Sequence, residues 1–292
     1  MKKIFMAMPL ALMLLAACDP SEDDKSVPAA LESDAMASDI TITQDPAGSN
    51  CITLNTGKSG YVTITDETGA AVYSGTGGYF EVSPGGSENQ TWTITRKNFD
   101  GTTTSCTKQV TIKQYLNVAP EWQYFTNMSS KTWTWDTSFR ADGGAWGNLG
   151  YNSGSNADFV NSGNGIWWGC APADLSGQTA HSKGDRQPGE EDPNAYMVWT
   201  LAGKQIQCFD ASGKQIRKGS FSFDMSTAND WKKGDLTTTA GAILFPFKIN
   251  GDGFEPTSFE IMQIDKDHMK LIYAAPGTGS WSEATWWAFK AK

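Results

Sequence analysis

Between residues 39 and 114 apolar and polar residues alternate in short runs. Ile40-Thr-Ile-Thr, Tyr61-Val-Thr-Ile-Thr, Trp92-Thr-Ile-Thr and Val110-Thr-Ile-Lys repeat with period two, and Cys51-Ile-Thr-Leu and Ala71-Val-Tyr are apolar runs of strand length. Period two sends successive side chains to opposite faces, so each run reads as a strand with one face buried. Turn-forming Glu67-Thr-Gly69 and Asn98-Phe-Asp-Gly101 separate them. Some seven short strands in this stretch predict a small antiparallel sandwich over 39–116.

From Pro120 to Lys292 the strand pattern continues in longer and more aromatic runs. Strands are predicted over 131–136, 196–201, 204–210, 215–225, 242–250, 257–264, 269–275 and 284–291, and no stretch holds a helical period over a convincing length. The fold class is therefore all-β, with a border near Asn117–Pro120. The eight predicted strands of the second domain, 117–292, suit a jelly-roll-like β-sandwich, with a closed lipocalin-like barrel as the alternative.

The first 38 residues follow a different rule. Met1-Lys2-Lys3 precedes an apolar run, Ile4–Ala17, too short to span a bilayer, and the run closes on Leu15-Ala16-Ala17-Cys18. This arrangement resembles a bacterial lipoprotein signal, which implies removal of residues 1–17 and lipidation of Cys18. Asp19-Pro-Ser-Glu-Asp-Asp24 resembles the acidic export tag of surface-exposed outer-membrane lipoproteins. Residues 18–38, rich in acid, Ser, Ala and Pro, are expected to form a flexible tether.

Twelve tryptophans, all but Trp92 beyond residue 120, mean either an aromatic core or a surface for stacking on flat ligands. Strand parity assigns Trp133, Trp135, Trp199 and Trp287 to the core. Trp286 shares a face with Lys290 and is expected outside. Trp146 and Trp281 stand in glycine-rich stretches, and Trp168 is preferred over its neighbour Trp167 as an exposed ring. Trp146, Trp168, Trp281 and Trp286 thus form the expected binding face, with Asn148, Asp142 and Glu283 as hydroxyl partners.

Loss of the leader leaves 21 basic residues against 32 acidic ones, a net charge of −11, and no basic stripe to neutralise phosphates. Nucleic acid is not an expected partner. Catalytic chemistry is not evident either. Glu260 and Asp265 are an odd number of residues apart on one strand, and Glu190-Glu191-Asp192 reads as a solvated acidic turn between prolines rather than a tuned pair. His181 and His268 lack a nucleophile context. Asn250-Gly-Asp-Gly253 lacks the further carboxylates of a calcium loop and reads as a tight turn. No metal or cofactor is expected. Cys51 and Cys106, both in strand-like text of one small exported domain, are expected to form a disulfide, with Cys170 and Cys208 left undecided.

Segment 39–116 resembles the PKD/immunoglobulin-like modules of surface lipoproteins, through Asp100-Gly101 and the Thr-rich run Thr102–Lys113. It lacks the Trp-Asp-x-Gly-Asp-Gly signature, so the resemblance implies a spacer. The order of lipobox, acidic tag, spacer and aromatic β-domain resembles the surface glycan-binding lipoproteins of Sus-like polysaccharide-utilisation systems. The resemblance implies non-catalytic capture of a polysaccharide or oligosaccharide at the outer membrane, beside an outer-membrane glycan importer. A surface adhesin or structural module, and a glycoside hydrolase, are the alternatives.

Overall fold

The computed structural model describes residues 29–150, 156–163, 165–182, 186–274 and 283–292. The signal segment, Cys18, the acidic tag, Trp281 and the Glu283 side chain lie outside the described residues. The chain divides into two compact units: one runs to Ile42 and takes Leu54–Gly78 and Thr91–Lys108, the other takes Thr43–Thr53, Tyr79–Gln90 and Gln109–Lys292. These units do not follow the 39–116 and 117–292 segments.

Helix α1 (Ser33–Asp39) precedes seven strands, β1 (Ile40–Gln44), β2 (Cys51–Thr56), β3 (Val62–Thr65), β4 (Ala71–Gly75), β5 (Gly78–Glu81), β6 (Asn89–Lys97) and β7 (Thr103–Thr111). They form a three-stranded sheet, β1-β2-β5, and a four-stranded sheet, β4-β3-β6-β7. Within the first unit, Val62 and Ile64 of β3 and Trp92 and Ile94 of β6 are fully buried, as their parity requires. Helix α1 corrects the expectation of a flexible tether through residue 38. Met36 is fully buried, the Ser33 hydroxyl donates to the Ser105 carbonyl at 2.7 Å, and Lys108 Nζ donates to the Ala37 carbonyl at 2.7 Å. Asp39 at its C-terminal end pairs with the buried Arg96 at 2.8 Å.

The expected Cys51–Cys106 disulfide is not formed; both are free, buried thiols, as are Cys170 and Cys208. Ile52 and Leu54 of β2 are fully buried on one strand face, and Cys51, one residue off that register, points to the other. Burial raises the thiol pKa of Cys170 to about 12, with Asp174 and Asp142 adding to it, and burial likewise raises that of Cys208. Reductant should therefore leave the melting temperature of the unlipidated protein unchanged. Alkylation should reach all four thiols only after unfolding; a melting point that falls on reduction would restore the disulfide.

Beyond helix α2 (Pro120–Thr126) come β8 (Ser130–Trp135), β9 (Trp146–Gly150), α3 (Asn156–Ser162), β10 (Ile166–Cys170) and α4 (Leu175–Ser182). Seven more strands follow: β11 (Tyr196–Thr200), β12 (Gln205–Phe209), β13 (Gln215–Asp224), β14 (Gly234–Thr238), β15 (Ser258–Ile264), β16 (His268–Ala274) and β17 (Glu283–Ala291). From β11 to β17 each strand pairs antiparallel with the next in sequence. β11 pairs with β8, and β17 returns to β8 through Phe289 opposite Trp135. The result is a closed eight-stranded up-and-down barrel, the alternative architecture, in place of the jelly-roll sandwich. A jelly roll needs strands that leave one sheet for another, whereas here sequence order is also the order around the ring.

The barrel interior holds the tryptophans that parity placed there. Trp133, Trp135, Trp199 and Trp287 are buried with Met197, Phe259 and Leu271 in one cluster. Between β14 and β15 the predicted strand 242–250 does not form. Residues Ala242–Phe247 instead enter the barrel as an irregular segment, with Ile243, Leu244, Phe245 and Phe247 fully buried. Pro246 removes one ladder donor and Phe245 has φ of 46°, so this apolar run cannot continue as a strand. Side chains satisfy its backbone: the indole N–H groups of Trp287 and Trp146 donate to the carbonyls of Phe245 at 2.9 Å and Phe247 at 3.3 Å. The Cys208 thiol donates to the Ala242 carbonyl at 3.3 Å. The barrel is plugged by its own chain.

Candidate functional site

The barrel ring leaves out β9 and β10. β9 pairs with the first half of β17, where β8 takes the second half, and β10 pairs antiparallel with β9 to end the sheet. Glycine lets this hairpin lie close against its neighbours. A Cβ on Gly147 would clash with the Trp168 carbonyl oxygen, and one on Gly169 would meet the Trp286 ring at 2.7 Å.

The two faces of the hairpin differ. On the outer face, Leu149, Trp286, Ala284 and Ala288 form a second apolar cluster with Phe159 of α3, against which Phe139 and Ile166 pack. Trp286 is therefore fully buried, with Phe139 and Phe159 edge-on to it at 5.6 and 6.5 Å. Parity correctly turned it away from the barrel interior, but the hairpin and α3 cover it. Trp146 is also buried, on the inner face, edge-on to Phe245 at 5.2 Å. Neither ring can stack on a ligand, which corrects two of the four expected binding tryptophans.

Among the described residues two tryptophans are exposed, and they are neighbours on β10. A bulge between Ile166 and Trp168 breaks the register of β10: Ile166 pairs with Leu149, Trp168 with Asn148 and Cys170 with Trp146. In a regular strand Trp167 and Trp168 would point to opposite faces, but a bulge sets two residues against one and turns both the same way. Trp168 is edge-on to the inner-face Trp146 at 6.0 Å. The Trp167 ring lies over Gly150, where a Cβ would meet it at 2.7 Å. Trp167 is 53% and Trp168 37% exposed, and the half-buried Asn148 stands directly across from Trp168. These three residues put two exposed indoles on one face with an amide beside them. The preference for Trp168 over Trp167 was too narrow; both rings are presented.

Asp142 has other work. Its carboxylate pairs with Arg140 at 2.9 Å and accepts from the Gly144 amide at 3.0 Å, and these two groups hold it below the usual carboxylate range. It shapes the turn before β9.

The sequence matches no protein-family model and no curated protein. Function must be read from the site alone. Glu260 and Asp265 are occupied structurally. Glu260 accepts from the Trp231 indole at 3.1 Å, and Asp265 accepts from the amides of Asp267 and His268 within its own turn. Asn250 and Asp252 have φ of 52° and 49° in a tight turn, and among the described residues no group of three or more potential metal ligands converges.

Glu190 departs from the expected solvated turn. Its side chain is fully buried, its Oε1 takes a hydrogen bond from Arg217 Nε, and its Oε2 has no hydrogen-bond partner. Arg217 also faces Glu255 at 3.3 Å. Burial pushes the Glu190 carboxyl up to about 7 against the opposing pull of Arg217. A readable signal existed: Arg217 shares strand parity with Phe221 and Phe223, so an arginine was directed inward and needed a buried carboxylate. The buried Glu190–Arg217 pair ties the 188–193 turn to β13.

Proposed function

We propose that the protein is a non-catalytic lipoprotein, anchored through Cys18 and displayed on the outer face of the outer membrane, that captures polysaccharide on the Trp167–Trp168 platform for surface degradation and import. The observation that carries this reading is the pair of adjacent tryptophans on one face of an edge strand. The tryptophan excess as a whole is structural, because seven of the twelve rings are fully buried. Trp122 and Trp231 are half-buried, and Trp167 and Trp168 are the two tryptophans exposed among the described residues. Stacking of indole faces on sugar rings, with Asn148 as hydroxyl partner, is the chemistry this arrangement supports.

Affinity electrophoresis of the unlipidated protein through plant, fungal and host polysaccharides should find a retarding glycan. Trp167→Ala and Trp168→Ala should each weaken retention about 5- to 100-fold, as expected for aromatic stacking worth about 1–3 kcal/mol, with melting temperature unchanged. Retention that survives the double substitution would leave the adhesin or structural reading in its place.

A further inference from the structure

The inner face that carries Trp168 continues across the sheet. Trp168 of β10 pairs with Asn148 of β9, Asn148 with Thr285 of β17, and Thr285 with Tyr273 of β16. Directly paired residues share a face, so these four form one row across four strands. Three strand spacings put its ends about 14 Å apart.

The row finishes in a second aromatic group. Tyr273 packs against Phe254 with ring centroids 5.5 Å apart, and Phe254 is 48% exposed. Phe254 closes the turn Lys248–Phe254, in which the Lys248 amide donates to the Phe254 carbonyl at 3.0 Å and the Phe254 amide to Gly251 at 2.9 Å. The turn is fixed to the row itself, because the Ile249 amide donates to the Thr285 hydroxyl at 2.8 Å. An exposed phenylalanine is thus held at a set place relative to the tryptophan platform. Between the two aromatic groups the row holds Asn148 and the buried Thr285, and none of its four residues is charged.

Resting on the capture function above, we propose that Phe254 and Tyr273 form a second sugar subsite of the same face, and that the ligand is a neutral, unbranched glycan long enough to bridge from Trp168 to Phe254. Aromatic subsites at both ends select chains whose rings keep flat apolar faces, which equatorial linkages provide. The net charge of −11 left after loss of the leader and the absence of a free cation in the row disfavour anionic chains.

The test is titration of the unlipidated protein with β-1,4-linked gluco- and xylo-oligosaccharides from disaccharide to hexasaccharide, with polygalacturonate oligomers as the anionic arm. Affinity should rise at least tenfold between the disaccharide and the hexasaccharide. Phe254→Ala should abolish that rise while leaving disaccharide affinity within twofold, because the tryptophan platform is intact. Phe254→Tyr should restore it, and circular dichroism should show all variants folded. Hexasaccharide affinity unchanged in Phe254→Ala, alongside a loss in Trp168→Ala, would overturn the second subsite and leave the capture function standing. Preferential binding of the polygalacturonate oligomers would overturn the neutral-chain assignment. Binding of none of these probes would overturn the proposal, and retention of no polysaccharide in the electrophoresis would overturn the capture function itself.

Discussion

Phe245→Ala should destabilise the protein by about 3–5 kcal/mol, the range for removing a fully buried aromatic ring without collapse of the site. Phe245 is the centre of the plug. Its ring stands edge-on to Trp146 at 5.2 Å and to Phe247 at 5.1 Å, and its carbonyl holds the Trp287 indole. Truncation removes those contacts while the surrounding barrel strands, hydrogen-bonded in a closed ring, cannot move inward to fill the space. A dry apolar cavity of this kind takes up benzene or xenon. Urea unfolding should show the loss, and benzene should restore part of it in the variant and none in the native protein. Phe254→Ala, in the same connection but half-exposed, should stay within about 0.5 kcal/mol of native. A loss below about 1 kcal/mol for Phe245→Ala would mean that the plug is not seated in the barrel.

The Glu190–Arg217–Glu255 cluster should produce the second large effect, and its sign depends on pH. A carboxyl whose pKa rises from the ordinary 4.5 to about 7 on folding is more easily kept protonated in the native state. Its contribution to stability is therefore complete below about pH 4.5, declines as pH rises through the window to about 7, and is absent above it. The full swing is on the order of 3 kcal/mol. Glu190→Gln should flatten the stability profile between pH 5 and 8 without a large loss at pH 8. Glu190→Ala should cost about 3–5 kcal/mol at pH 7, because it leaves Arg217 buried with only the more distant Glu255. The measurement is urea midpoint against pH for the three proteins. A native profile with no slope in that window, or a Glu190→Gln profile that keeps the native slope, would exclude Glu190 as the titrating group.

The regular strands were legible because period two survives wherever one face is buried and the other wet. Strands β8, β11, β12, β13, β15, β16 and β17 lie where alternation put them. Ala242–Phe247 was misread because a fully buried apolar run carries no period, and composition alone does not separate a central strand from a segment threaded through a barrel. The hairpin β9–β10 was missed for the opposite reason. Gly147, Gly150 and Gly169 look like loop chemistry in the sequence, yet each is small because a ring or a backbone occupies the place of its side chain. That omission also explains Trp286: its orientation follows from one strand, whereas its burial depends on elements read as loop. Glu190 was read as solvated because its neighbours are polar, and the arginine that draws it inward stands 27 residues further along the chain.

Closure of the ring joins positions far apart in the chain, since Trp135 of β8 pairs with Phe289 of β17. Contacts of such separation are met late and slowly in folding. Until they form, β8 and the second half of β17 expose unpaired edges to any other chain nearby. The hazard for this protein therefore lies in the time spent before closure rather than in its finished surface. Crowding of nascent molecules, more than heat, is the condition that should drive it into aggregates.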